Sequence, residues 1–335
     1  AMANYPGYDP NRYQRYSRER HLNYAVTAGY EPGSTFKMVT LAAGLNERII
    51  SSDQEFFCED GEYKIGNNLI RDSSPQGVLT LEQILKKSSN ICAAKIGMSI
   101  PPSRFYDYIM LFGFGQKPNS GIVAEASGRV ISPNKWKSID HATISFGQAI
   151  LVSPLQMVSA ANVFANQGEW IQPYILDHVR DKKGKVIKEI KDNDGSLIQK
   201  FGSGIRTRVV DSSVSELIKE YLISVTERGG TAELAAIKGY KVAGKTGTSQ
   251  IFDHQLGRYS KTRYIASFVG FAPASDPLVT VLVIVEQPQT SYYGGIVAAP
   301  IFNQIVHRTL LFKDVLPLPG EGTPEIPKNQ STASR

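Results

Sequence analysis

The last third of the chain constrains its fold most. Three runs that read as strands, at 240–250, 262–271 and 278–286, follow one another across hairpin-length links. Strands joined this way pair antiparallel, because a parallel neighbour needs a crossover of a dozen or more residues. Val279 to Val285 is the most apolar of these stretches and predicts a central strand. A helix from about 299 to 312 closes the region. Near the other end, helical period starts abruptly after Glu31-Pro32-Gly33, with Phe36, Met38, Val39, Leu41, Ala42 and Leu45 apolar. Pro and Gly break the preceding chain, so Ser34 falls in the first turn of this helix.

Between these ends the signals are mainly helical. Thr80-Leu81-Glu82-Gln83 is a capping box whose helix is expected to run towards Gly97, and Ser153-Pro154-Leu155-Gln156 is a second, ending at Gly168. Residues 54–70 read as a hairpin around Asp60-Gly61. Strand pairs are expected around 170–190, then a helix from about Asp211 to Arg228 that stops at Gly229-Gly230. The fold class that follows is α/β: an antiparallel sheet covered by the first and last helices, with a mainly helical lobe, about 75–170, inserted between them. Residues 1–315 form one domain in this reading, with residues 1–30 wrapping over its surface. The Pro-, Gly-, Ser- and Thr-rich tail at 316–335 is expected to be disordered.

With 335 residues, 41% hydrophobic and 20% charged, the chain can bury a sizeable core. Its net charge of +6 suits an anionic surface. Nucleic acid is not an expected partner, since basic runs such as Asp181-Lys182-Lys183-Gly184-Lys185 read as solvated hairpin turns. No stretch approaches the roughly 20 apolar residues of a membrane span. The opening Ala1-Met2, followed directly by Ala3-Asn4-Tyr5, reads as a cloning scar on an excised fragment. The two cysteines spell out no zinc cluster or disulfide framework. Cys92, in Ile91-Cys92-Ala93-Ala94, reads as a buried free thiol, although an oxidising compartment would permit a bridge to Cys58. Five histidines, His254 among them, have no ligand spacing, so neither metal nor other cofactor is expected.

Three short motifs carry chemistry. In Ser34-Thr35-Phe36-Lys37, positions i and i+3 share a helix face, so the hydroxyl and the amine can meet. Serine needs a base to become a nucleophile, and lysine serves only when its pKa falls from about 10.4. Burial and a second ammonium both lower it. A Ser-x-x-Lys tetrad arises by chance about once in a chain of this length at average composition. It recurs as Ser132-Pro133-Asn134-Lys135, where Pro and the absence of helical period predict a loop. Ser88-Ser89-Asn90 follows late in the helix capped at Thr80, where Ser88 could pass a proton to Lys37 and Asn90 could hold a substrate amide. An ordinary polar patch at a helix end is the plainer alternative. Lys245-Thr246-Gly247-Thr248 opens a strand. Gly247 would let an extended substrate backbone lie close, the two threonine hydroxyls could bind a carboxylate, and Lys245 supplies positive charge. The plainer alternative is an edge strand with a flexible glycine. A phosphate loop is also raised by this run and set aside, because Ala243-Gly244-Lys245 is read as lacking the upstream glycine that Gly-x-x-x-x-Gly-Lys requires.

In order, 54 and 157 residues apart, these motifs form the set found in penicillin-binding proteins and class A β-lactamases. The wider contexts, Glu31 to Lys37, Lys87-Ser88-Ser89-Asn90 and Ala243 to Thr248, resemble the class B penicillin-binding proteins, the monofunctional transpeptidases. So do Phe146-Gly147-Gln148 before Ser153 and Ala266 to Pro273. Tyr292-Tyr293-Gly294-Gly295 with Ala298-Ala299-Pro300 is similar to the division and sporulation branch more than the elongation branch. The resemblance spans about residues 4–312. It implies that Ser34 attacks the penultimate D-alanine carbonyl of a peptidoglycan stem peptide, with Lys37 as base, Ser88 as proton relay and Asn90 orienting the acyl group. It further implies that Lys245, Thr246 and Thr248 bind the terminal carboxylate and that the backbone N–H groups of Ser34 and Thr248 form the oxyanion hole. β-Lactams would acylate the same serine. A location outside the cytoplasmic membrane of a bacterium, an N-terminal anchor, and membrane glycosyltransferase and divisome-type partners are implied by the same analogy. The rival readings are a β-lactamase or D,D-carboxypeptidase, for which Glu125 and Glu169 are the available bases, and a non-catalytic sensor or scaffold. Ser34→Ala is expected to abolish covalent labelling by a fluorescent penicillin while the fold survives, and Ser132→Ala to leave labelling intact. Labelling of the Ser34→Ala protein would contradict the assignment.

Overall fold

A computed structural model describes residues 1–317 except 188, 192–196, 201, 203, 204, 254 and 256. His254 and the tail from 318 lie outside the described residues. Exposed 3₁₀ turns at Pro10–Arg15 and Arg18–His21 precede Tyr24–Thr27 (α1) and Lys37–Asn46 (α2). Four short strands follow, Glu55–Phe57 (β1), Glu62–Ile65 (β2), Asn68–Arg71 (β3) and Val78–Thr80 (β4). The helices Leu81–Lys87 (α3), Asn90–Ser99 (α4), Pro102–Leu111 (α5), Ser138–Ile144 (α6) and Pro154–Ala165 (α7) come next. Three antiparallel strand pairs are built from Glu169–Ile171 (β5), Val179–Arg180 (β6), Val186–Ile187 (β7), Glu189–Lys191 (β8), Leu197–Lys200 (β9) and Arg206–Arg208 (β10). Ser212–Thr226 (α8) leads to the main strands Ala243–Asp253 (β11), Arg258–Ala272 (β12) and Val279–Glu286 (β13). Gly294–Val297 (α9) and Ala299–Phe312 (α10) end the described chain.

The expected antiparallel sheet is present, in the order β11-β12-β13. Its central strand is β12 and not the apolar run at 279–285, which forms β13 and pairs with β12 alone among the described residues. That run is apolar because helices cover both faces. The Thr280 hydroxyl donates to Asn162 of α7 at 2.6 Å, whereas Phe268, opposite Val283, packs on Phe302 of α10 with ring centroids 4.7 Å apart. Positions 280 and 283 differ in parity, so α7 and α10 lie on opposite faces. Lys245 pairs with Val269 and shares a face with Phe271, which is paired to Thr280. Lys245 therefore projects on the α7 side.

The first long helix does not cover the sheet as expected. Every residue of α2 from Lys37 to Leu45 is buried, and it packs among α3, α4, α5 and α8. A helix apolar all round belongs inside a helical cluster. The hairpin turn expected at Asp60-Gly61 is instead a 3₁₀ turn. The hairpin itself joins β2 to β3 across residues 66–67, and β1 pairs with β4. Both sequence-marked capping boxes form, at Thr80 and Ser153. The helix that starts at Thr80 breaks after Lys87, and a new one starts at Asn90.

Cys92 is not a free thiol. It is bridged to Cys58, tying the end of β1 to α4 across 34 residues. Closing such a loop restricts the unfolded chain. Replacing both cysteines by alanine is expected to lower the unfolding free energy by about 3 kcal/mol, read from the urea midpoint. An unchanged midpoint would contradict this role.

Candidate active site

Burying a lysine in the middle of a helical core is unfavourable unless its donors are satisfied. Lys37 and Lys245 are both 0% exposed. The Lys37 amine donates to the backbone carbonyl of Ser88 and lies 3.2 Å from the Ser88 hydroxyl. Lys245 reaches that same hydroxyl at 2.9 Å, and also donates to the carbonyl and hydroxyl of its neighbour Thr246, each at 3.3 Å. One hydroxyl thus stands between two amines from segments distant in sequence.

Burial drives the Lys37 pKa well below the ordinary lysine value, the nearby Lys245 charge lowers it further, and Asp72 opposes both. Burial alone holds Lys245 down to about 7. A neutral Lys37 donates to the Ser88 carbonyl and keeps a lone pair that can take a hydroxyl proton. Beside Lys245, the Ser88 hydroxyl can donate to a neutral Lys37, or accept from a protonated Lys37 and pass its own proton on, which makes it a relay.

Ser88 can do this because the helix breaks there. It adopts the left-handed conformation, φ 63° and ψ 40°, which is unusual for a residue with a side chain. Ser89 then caps α4, its hydroxyl accepting the Cys92 N–H at 3.1 Å. Asp72, just past β3, accepts the Ser89 hydroxyl at 2.6 Å and the N–H groups of Asn90 and Ile91 at 2.5 and 3.1 Å. Asn90 donates its side-chain amide to the Arg71 carbonyl at 2.9 Å. Arg71 and Asp72, at the end of the β2–β3 hairpin, therefore hold Ser89, Asn90 and Ile91, the residues that follow Ser88. Nothing in Asp72-Ser73-Ser74-Pro75 separates Asp72 from an ordinary turn residue, and sequence reasoning missed it.

Ser34 is half-buried in the 3₁₀ turn Gly33–Phe36, one turn before Lys37. The Ser34 hydroxyl and the Lys37 amine make no direct hydrogen bond here; the amine donates to Ser88, while the Lys37 backbone N–H donates to the Ser34 carbonyl. The turn sits against β11. A side chain on Gly33 would begin 3.1 Å from the Thr248 carbonyl oxygen, and one on Gly247 would meet Ser267 Oγ at 2.3 Å and the Pro32 carbonyl oxygen at 3.0 Å. Gly247 is thus required by the seating of the Ser34 turn, not only by an approaching substrate. Thr246 Oγ1 lies 3.0 Å from Thr231 Oγ1, and Thr248 Oγ1 accepts the Gly294 N–H at 3.4 Å. The second tetrad, Ser132 to Lys135, forms an exposed 3₁₀ turn. The phosphate-loop alternative fails on context and not on spelling. Gly239 does stand five residues before Gly244, but Lys245 lies within a paired strand, where a phosphate loop needs a turn opening a helix.

Residues 1–307 match the family described as penicillin binding protein transpeptidase domain. The chain belongs to that family. It is 32% identical over 95% of its length to the probable peptidoglycan D,D-transpeptidase PenA of Neisseria flavescens, covering 73% of that protein. It is 33% identical to the peptidoglycan D,D-transpeptidase FtsI of Escherichia coli and to the stage V sporulation protein D of Bacillus subtilis, over 95% and 92% of the chain. It spans about half of these two relatives, 50% and 46% of their lengths. Among solved structures it is similar to the apo transpeptidase domain of penicillin-binding protein 3 from Burkholderia pseudomallei, with TM-score 0.76, 31% identity, and 88% and 83% of the two chains covered. It is also similar to penicillin-binding protein 3 of Mycobacterium tuberculosis complexed with ampicillin, with TM-score 0.78, 28% identity, and 90% and 66% covered. The α/β architecture is that of this transpeptidase family.

Two carboxylates weighed as hydrolytic bases are engaged elsewhere. Glu125 accepts the N–H groups of Asn119 and Ser120 at 2.7 and 2.8 Å, and Glu169 pairs with Arg208 at 2.9 Å. A third, Glu31, escaped notice although it stands three residues before Ser34. It accepts the Ala149 N–H at 3.0 Å and the Tyr259 hydroxyl at 2.9 Å, and burial raises its pKa. It ties the Ser34 turn to the start of β12. Asp72→Asn is expected to lower the unfolding free energy by about 2 kcal/mol through loss of a charged cap. It also removes the one influence that raises the Lys37 pKa. The base then stays unprotonated to lower pH, so the acid limb of the penicillin acylation profile is expected to move down in pH. A limb moving up would contradict this.

Proposed function

We propose that this chain is the acylating domain of a peptidoglycan D,D-transpeptidase of the division and sporulation branch, extending over residues 1–315 with its helical lobe at about 75–170. The observation that carries the reading is the Ser88 hydroxyl held between two buried amines. Lys37 takes the Ser34 proton as Oγ attacks the penultimate D-alanine carbonyl carbon of a stem peptide. The oxyanion is received by the N–H groups of Ser34 and Thr248. As the C–N bond breaks, the proton passes from Lys37 through Ser88 to the departing D-alanine nitrogen. An amine of a neighbouring strand then attacks the ester carbonyl and gives up one of its own protons to the Lys37 base, which delivers it to Ser34 Oγ as the C–O bond breaks. Asn90 orients the acyl group, while Lys245, Thr246 and Thr248 bind the terminal carboxylate beside Gly247.

A β-lactam mimics the D-alanyl-D-alanine end, but its leaving group stays tethered, so the acyl-enzyme persists. Hydrolysis as the main activity is disfavoured by the engagement of Glu125 and Glu169 in local structure. The Cys58–Cys92 bridge favours an oxidising compartment, in keeping with a cell-envelope location outside the cytoplasmic membrane. Among the described residues no helix is long and apolar enough to cross a membrane. Membrane glycosyltransferase and divisome-type partners belong to the same reading by family analogy.

Benzylpenicillin is expected to give one stable adduct per chain, mapped by peptide mass spectrometry to the fragment carrying Ser34, with nitrocefin hydrolysed only stoichiometrically. Many nitrocefin turnovers per second, or an adduct elsewhere, would contradict the proposal.

A further inference from the structure

The turn that follows α8 touches both sides of the site. Lys87, the residue before Ser88, donates from Nζ to the Gly229 carbonyl at 2.9 Å. Two residues further on, Thr231 Oγ1 lies 3.0 Å from Thr246 Oγ1. Residues 229–231 therefore link the segment that carries Ser88 to the strand that carries Lys245. The turn is firmly held. The Gly229 N–H donates to the Glu233 carboxylate at 2.6 Å, the Gly230 N–H to the Glu227 carbonyl at 2.9 Å, and the Ala232 N–H to the Val225 carbonyl at 3.0 Å. From the other side α9 presses on it, since a side chain on Gly295 would begin 2.0 Å from the Thr231 carbonyl oxygen. Thr231 itself is exposed, so a ligand can reach its hydroxyl.

Proton counting gives this pair a function. Thr246 Oγ1 already accepts from Lys245 at 3.3 Å. Each threonine hydroxyl carries one proton, and one of the two is used in the bond between them. One O–H is left, and it must point away from the pair. Beside Lys245, such a donor suits an anion with two oxygens. Without Thr231 the Thr246 hydroxyl would be free to rotate and to direct its proton to solvent.

We propose that Thr231 is a positioning residue for the acyl donor: it fixes the Thr246 hydroxyl so that the pair presents one outward O–H to the terminal carboxylate. This rests on the transpeptidase reading and adds to it a residue outside the three motifs. Thr231→Val keeps the side-chain shape and removes the hydroxyl, whereas Thr231→Ser keeps the hydroxyl. Acylation rate constants for the two variants and the parent protein would be compared with benzylpenicillin and with its methyl ester, which lacks the carboxylate charge.

Thr231→Val is expected to slow acylation by benzylpenicillin about tenfold, the effect of one hydrogen bond to a charged group. Thr231→Ser is expected to restore the parent rate, and the methyl ester to react at similar rates with all three proteins at unchanged melting temperature. Parent-like acylation of Thr231→Val, failure of Thr231→Ser to restore the rate, or equal slowing with the ester would overturn the inference alone. Absence of any adduct on the parent protein would overturn the transpeptidase reading and this inference with it.

Discussion

Two lysine amines buried around a single serine hydroxyl set the terms for the rest of this structure. An ammonium taken from water into a core is strongly disfavoured, and two close together are more so. The strain can be relieved by moving the groups apart, by supplying counter-charge or by losing a proton. Here packing keeps them together. Lys37 is enclosed by α2 and its neighbours, and Lys245 projects from β11 on the α7 side of the sheet. Asp72 offers only a partial counter-charge to Lys37. Proton loss is the remaining route, and it turns a structural liability into a base.

That arrangement depends on residues with no chemistry of their own. Ser88 offers both its carbonyl and its hydroxyl to Lys37 because the chain turns left-handed there and restarts as α4 at Asn90. The restart is stabilised by Asp72 and by the Ser89 cap. Two residues beyond Asn90, the Cys58–Cys92 bridge joins α4 to the end of β1. On the sheet side, Gly247 lets the Ser34 turn rest on the strand that carries Lys245. A group placed within a few tenths of an ångström needs such a supporting shell.

Much of this was legible in the residues because local rules carried it. The main strands, the helices at 154–165, 212–226 and 299–312, both capping boxes and the three motifs all follow from periodicity, Pro and Gly punctuation, and side-chain chemistry. What was not legible depended on tertiary partners. The break at Ser88 contradicts continuous helical period, and it forms because Asp72 approaches from a hairpin 16 residues upstream. The uniform burial of α2 shows only once the surrounding helices are known. β13 has a central strand's composition at the sheet's edge, because helices shield both its faces. The Cys58–Cys92 pairing requires the β1–α4 contact, and two cysteines 34 residues apart do not announce it.

The protonation state of Lys37 is the hinge of the account, and NMR of lysine side-chain nitrogens reports it without reference to turnover. Assigned through a Lys37→Arg control and titrated from acid to alkaline pH, the Lys37 Nζ signal should carry the shift of a neutral amine at neutral pH. Its midpoint should lie far below the ordinary value of 10.5. A Lys37 ammonium that persists through neutral pH and titrates near that ordinary value would contradict the mechanism at its base.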